Sequence, residues 1–199
     1  LVAANITPAA DGTHLHIEGG EIMTDTITSS SGTTAQYNQV SIEAVTLEAT
    51  NSSVTTTDAA TLYINGAPTA GTNQTITNPC ALLVKDGNIL IKNTNADATG
   101  GTLKFNKNGA SAADADVLGN IDFVVEDSAN NVTTYARILA KSDDVTSGQE
   151  EGSLEFHVAE YDGTLTKGMS IVGLASDGNI KVDISGDLTI SKDKDGEFV

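Results

Sequence analysis

The sequence has 199 residues, of which 39% are hydrophobic but only 4% aromatic, and its formal net charge is −17. This charge excludes a nucleic-acid partner, because phosphate binding needs clustered Lys and Arg, and it disfavours anionic membranes. No apolar run is long enough to span a bilayer, so we expect no membrane insertion. Large apolar side chains are too few for a well-packed core in one chain, which favours association of several copies.

Period-two alternation of apolar and polar residues recurs along the sequence and predicts strands. Turn signals such as Asp86-Gly87, Asp162-Gly163 and Asp177-Gly178 separate the alternating segments. We expect at most one or two helical turns, within residues 112–118. The predicted fold class is therefore all-β, with short antiparallel strands at residues 13–18, 39–43, 61–64, 81–85, 88–92, 102–106, 120–126, 132–141, 153–160, 169–172, 179–184 and 187–191.

Two turn-then-strand segments resemble each other: KDGNILI at residues 85–91 and SDGNIKV at residues 176–182. Such echoes fit stacked β units, as in shafts and β-solenoids. Composition divides the chain into four predicted segments. These are a Thr- and Ala-rich shaft segment at 1–60, a turn–strand module at 61–100, a main β domain at 101–172 and a short-strand shaft segment at 173–199. Most of the Phe and Tyr residues lie in 101–172, so we expect the best-packed core there.

The stretch APTAGTNQTITNPCALLVKDGNILI, residues 67–91, contains turns and short apolar runs but no residue suited to catalysis. Together with LYI at 62–64, it resembles a segment that recurs in bacteriophage tail fibre proteins, with Cys80 where tyrosine is usual. Further along, GNIDF at 119–123, YARI at 135–138, GSLEF at 152–156 and MSI at 169–171 resemble the β region that follows this segment in such fibres. The matches cover about half of the chain.

The resemblance implies a non-enzymatic structural protein that assembles as an intertwined fibrous homotrimer and forms a rigid rod or knob projecting toward the host surface. It implies a virion location, outside the cell, with other tail proteins and a host surface glycan or protein receptor as partners. Many related fibres end in an intramolecular chaperone domain, which we do not recognise in this sequence. We expect any receptor contact at loops 107–116, 127–131 and 142–152, because loops on a rigid scaffold commonly carry recognition.

Two other functions stay open. A bacterial extracellular adhesin or filament subunit would share the acidic, Thr-rich and β-rich composition. A tailspike polysaccharide depolymerase would need paired carboxylates, for which Asp143-Asp144 and Glu150-Glu151 are the candidates. Adjacent strand residues point to opposite faces, so neither pair suffices alone. The lack of Trp also disfavours a deep sugar-binding cleft.

His14 and His16 form the one pair with metal-ligand spacing, because alternation puts both imidazoles on one face of a strand. Three copies around an axis would present six nitrogens, a set that suits a transition metal. Leu15 and Ile17 compete for the inward face of the same strand. We therefore expect both histidines to face water and the chain to use no metal and no other cofactor.

The remaining reactive side chains suggest no chemistry, and we expect no catalytic and no cofactor-binding residues. Cys80 is the single cysteine and precedes the apolar run Ala81-Leu82-Leu83. This setting predicts an inert buried thiol. His157 alternates with Phe156 and Val158, so we expect it on the outward-facing side of a strand.

Overall fold

The computed structural model describes residues 15, 17, 19, 22, 24–109, 111–174 and 178–188. The chain divides into two compact units, Leu1–Gly87 and Asn88–Val199. The described residues contain no helix, and all their strands lie in the second unit, so the all-β prediction is confirmed. The strands are β1 (Asp116–Glu126), β2 (Val132–Asp144), β3 (Glu151–Ala159), β4 (Leu165–Gly173) and β5 (Ile180–Ile184).

The five strands form one open antiparallel sheet in the order β1-β2-β3-β4-β5. Each strand pairs with its neighbour in sequence, because short turns can join only antiparallel strands. Two of the predicted turns show why glycine is needed. Gly163, between β3 and β4, has φ of 81°, and Gly178, between β4 and β5, has φ of 67°. Glycine adopts this left-handed conformation without a steric cost.

The strands predicted at 120–126, 132–141, 153–160, 169–172 and 179–184 are confirmed as β1 to β5. The expectation of helical turns within 112–118 is wrong, because β1 already begins at Asp116. Ala115 has a left-handed φ of 63°, and its N–H donates to the carbonyl of Ser142 at 2.7 Å. This bond joins the chain to the end of β2 at the point where the sheet begins.

The strands predicted at 39–43, 61–64, 81–85, 88–92 and 102–106 are wrong, because the structure forms no strand at these residues. Every residue from 24 to 109 except Ile76 is exposed. Alternation suits a half-buried strand, but a strand also needs a neighbour for its N–H and C=O groups. The strands predicted at 13–18 and 187–191 lie partly outside the described residues.

No described hydrophobic side chain is buried, so the single chain has no closed core within 101–172, although half-buried side chains such as Ile138, Phe156 and Met169 lie there. Phe123 is 53% exposed and Tyr161 is fully exposed. The buried side chains that the structure describes are polar and belong to Ser153, Glu155 and Ser170. The sheet therefore has ordered strands but no covered apolar layer.

In the first unit, local polar contacts order the segment that begins at Asp25. Its Oδ1 accepts hydrogen bonds from the N–H groups of Ile27 and Thr28 at 2.9 and 3.0 Å. Its Oδ2 accepts from the hydroxyls of Thr28 and Thr34. These bonds, led by that of the Thr28 side chain, hold the pKa of Asp25 well below its usual range. The carboxylate thus fixes a turn that apolar packing does not stabilise.

Candidate functional site

The register of the sheet sorts its side chains onto two chemically different faces. Residues directly opposite each other in neighbouring strands share a face, and successive residues alternate. One face, here called the apolar face, has two rows that cross all five strands. They are Ile121, Ile138, Phe156, Met169 and Ile184, and Gly119, Ala140, Leu154, Ile171 and Val182. The other, here called the polar face, has the rows Asp122, Arg137, His157 and Lys167, and Asn120, Leu139, Glu155, Ser170 and Asp183.

Glu155 is the centre of a charge network on the polar face and is 8% exposed. Its Oε1 accepts a hydrogen bond from Lys141 Nζ at 3.2 Å and lies 3.6 Å from Lys167 Nζ. Its Oε2 lies 2.9 Å from Nε2 of His157. Burial raises the pKa of Glu155, but the hydrogen bonds of His157 and Lys141 and the two lysine charges lower it further, below its usual range. The ionised carboxylate therefore connects β2, β3 and β4.

A second ion pair links β1 to β2 on the same face. Nε and Nη2 of Arg137 donate to the two carboxylate oxygens of Asp122 at 2.6 and 2.9 Å. This two-pronged contact lowers the pKa of Asp122 and raises that of Arg137. The hydroxyls of Ser153 and Ser170 are buried near Glu155 and have no hydrogen-bond partner among the described residues. The charged groups of the polar face are thus paired across strands, whereas these two hydroxyls are not.

The apolar face carries a groove instead of a covering layer. Residues 102–105 run beside β1 and enclose, with Leu118, Ile121, Ile138 and Leu154, a cavity of about 410 Å³. Phe105 comes this close because Gly119 has no side chain. A Cβ atom on Gly119 would lie 2.9 Å from Cγ of the Phe105 ring. Elsewhere on the face Phe156 and Met169 are half-buried, whereas Val158 and Val182 are 56% and 57% exposed.

The three loops predicted for receptor contact lie at both ends of the sheet. Loops 107–116 and 142–152 come together at one end, where Val145 N–H donates to Oδ1 of Asp114 at 3.0 Å. Loop 127–131 joins β1 to β2 at the opposite end. Its Asp127 accepts bonds from the N–H groups of Ala129 and Asn131. The structure therefore brings two of the three loops together and separates the third.

At the end that holds loop 127–131, the β3–β4 turn adds a second loop that the sequence analysis did not single out. Tyr135, Tyr161, Glu160 and Asp162 line a polar depression there together with Asp127. The predicted order of the strands already implied that these two turns are neighbours, because alternate turns of an antiparallel meander lie at the same end of the sheet. The exposed aromatic residue at a turn, Tyr161, marks this end.

The other predicted positions behave differently from one another. His14 and His16 lie outside the described residues. Cys80 is exposed, so the prediction of a buried thiol is wrong. Its apolar neighbours Leu82 and Leu83 are also 65% and 75% exposed, and the segment has no core in which to bury the thiol. His157 lies on the face opposite Phe156, as predicted, where it contacts Glu155.

The four acidic residues considered for depolymerase chemistry flank the β2–β3 turn. Oδ1 of Asp144 accepts from Thr146 N–H at 2.7 Å, and Oε1 of Glu150 accepts from Gly148 N–H at 3.1 Å. These backbone bonds lower the pKa of both carboxyl groups. A glycosidase general acid needs a raised pKa instead. The observed contacts are those of carboxylates that stabilise a turn.

No family model matches the sequence, and neither the curated proteins nor the solved structures include a match to it. Within the part of the chain that the structure describes, no cluster of three or more His, Cys, Asp or Glu side chains is arranged to hold a metal ion. The same residues include no helix that is long and apolar enough to cross a membrane. The two contrasting faces of the sheet and its end loops are therefore the features on which a function can be argued.

Proposed function

We propose that this chain is a structural segment of a bacteriophage tail fibre, in which three parallel copies form a β-rich rod or knob. The observation that carries the proposal is that no described hydrophobic side chain is fully buried, although the sheet is well paired. A sheet of this kind buries its apolar face against another layer in stable domains. The described residues supply no such layer, so other copies of the chain are the simplest source.

The exposure of residues 24–109 supports association in the same way. Burial of apolar surface is the main favourable contribution to folding, and ordering each residue costs roughly 1–2 kcal/mol. Every residue in this range except Ile76 is exposed in the single chain, so we propose that neighbouring chains order them.

The resemblance to tail fibres is the source of three details of this proposal: the number of copies, the shaft-like and solenoid-like segments, and the virion location. The loops at the two ends of the sheet are the proposed contacts to a host glycan or protein receptor, and other tail proteins are the proposed partners along the fibre. Catalysis is not part of this role. The acidic surface favours solubility and hydration outside the cell.

The mass of the native protein in solution tests the proposal. We expect about three times the 20.4 kDa of one chain, in a complex that resists mild detergent. A cooperatively folded monomer at micromolar concentration would contradict the proposal. Antibodies raised against the protein separate a fibre from a bacterial adhesin, because they should label the tails of virions. Release of oligosaccharide from host capsule would favour a depolymerase.

A further inference from the structure

We infer that the apolar face of the sheet packs against further copies of this chain, while the polar face stays on the outside of the assembly. This inference rests on the proposed association of copies and adds which surface they share. The two rows of the apolar face contain no charged residue, whereas the polar face carries Glu155, Arg137 and Asp122 with their partners already in place.

The size of the apolar face fits an interface between copies. Five strands about 4.8 Å apart and about nine residues long at ~3.3 Å per residue give a face of roughly 700 Å². A standard interface buries about 800 Å² per partner, and the largest apolar patch of a typical monomer is ~300–600 Å². The face is therefore of the order of a specific interface, and residues 102–105 already cover the part of it beside β1.

The two edges of the sheet are poorly suited to association. β5 has only 5 residues and carries the charged pair Lys181 and Asp183. β1 has irregular register between Val117 and Gly119 and again between Phe123 and Val124. Short edge strands, charges and bulges are the features by which sheets avoid edge-to-edge pairing. Copies of the sheet therefore meet more favourably through the face than through the edges.

A second copy of this chain can occupy the apolar face only if the contact between the two copies carries no charge. Two chains of formal charge −17 repel each other, so they associate best where both present apolar surface. The apolar face meets this condition. The described residues bury no apolar side chain within one chain, so we infer that the cover is present whenever the chain is folded. Another copy meets that requirement, and cyclic symmetry lets one face serve every subunit.

Charge substitutions on the two faces give the first test. Leu154→Glu and Val182→Glu each place a carboxylate on the apolar face, and Lys181→Glu places one on the polar face next to Val182. We expect the native mass to fall from the assembled value to that of one chain in both apolar-face variants. Lys181→Glu should keep the wild-type mass. An unchanged mass for Leu154→Glu and Val182→Glu would overturn the assignment.

Thiol labelling tests the same assignment without requiring a variant to dissociate. Cys80 is first replaced by Ser, and then either Val182→Cys or Lys181→Cys is introduced. The two positions are adjacent on β5 and similarly exposed in the single chain, at 57% for Val182 and 55% for the Lys181 side chain. In the assembled protein we expect a maleimide to label the thiol at 182 at least about tenfold more slowly than the thiol at 181, because protection reports burial.

The outcomes separate the inference from the proposed function. A wild-type monomer would refute the association itself. An assembled protein that labels at equal rates at positions 182 and 181 would refute only the choice of face. It would also mean that the apolar face stays open for a partner other than this chain. Slow labelling at position 182 in an assembled protein supports both.

Discussion

Glu155→Gln should weaken the sheet, because it removes the charge on which three cationic or potentially cationic groups converge. The wild-type carboxylate lies 3.2 Å from Lys141, 2.9 Å from His157 and 3.6 Å from Lys167. A hydrogen bond to a charged group contributes about 1.5–3 kcal/mol, and water discounts this where the partner can turn outward. The side chains of Lys141 and Lys167 are 25% and 41% exposed, so they can partly do so.

We therefore expect Glu155→Gln to lower the free energy of unfolding by about 2 kcal/mol at neutral pH, which is roughly a thirtyfold change in the unfolding constant. Urea unfolding followed by far-ultraviolet circular dichroism measures this change. The protein concentration must be the same for wild type and variant, because the proposed association of copies would add to apparent stability. Glu126→Gln, at an exposed glutamate that ends β1, is the matched control and should change little.

The stability that Glu155 contributes should depend on pH, because its pKa is lowered in the folded state. Because the folded state favours the carboxylate form, its contribution is complete above the ordinary glutamate pKa of about 4.3. It is lost as the pH falls through the lower folded-state pKa. The stability difference between wild type and Glu155→Gln should therefore shrink on acidification. Variant and wild type that agree within about 0.5 kcal/mol at neutral pH would refute this account of the network.

Three further substitutions probe the sheet and its ends. Ala115→Gly should raise the unfolding temperature, because glycine relieves a left-handed φ of 63° that costs roughly 1 kcal/mol in alanine. Gly119→Ala should displace Phe105, since the new Cβ would lie 2.9 Å from its ring, and trypsin should then cleave faster after Lys104. Asp127→Ala should lower the unfolding temperature, because it removes the acceptor for two N–H groups of the β1–β2 turn.

Each of these changes has a control in the same region. Ala113→Gly lies beside Ala115 without a left-handed φ and should not stabilise the protein. Gly109→Ala adds a methyl group with no atom within 4 Å and should leave trypsin cleavage unchanged. The hydrogen bonds also hold the pKa of Asp127 below its usual range, and the bond from the Asn131 backbone N–H has the largest effect. The effect of Asp127→Ala should therefore fade in acid, as the wild-type carboxyl group becomes protonated.

The sequence predicted β1 to β5 well because alternation and turn chemistry are local properties. Residues 153–158 alternate strictly, and the following Asp162-Gly163 turn brings β4 back beside β3. The charge network was not predicted, because its partners come from different strands. Lys141 lies 14 residues before Glu155 and meets it only through the β2–β3 register. The positions of the turns constrain the register of each hairpin and therefore which residues lie opposite each other. Cross-strand partners derived in this way from the sequence would have included the network.

The five wrong strands have a different cause. Residues 81–85 and 88–92 are short apolar runs bounded by turn residues, and β5 alternates, yet only β5 forms a strand, paired with β4. Such patterns identify a segment that can bury apolar side chains, but they do not say whether its own chain provides the neighbour. The large side chains of these segments remain exposed, with Leu83 at 75% and Ile89 at 72%. A sequence that repeats the strand pattern without internal pairing is what an intertwined assembly would require, because there the missing neighbour belongs to another copy.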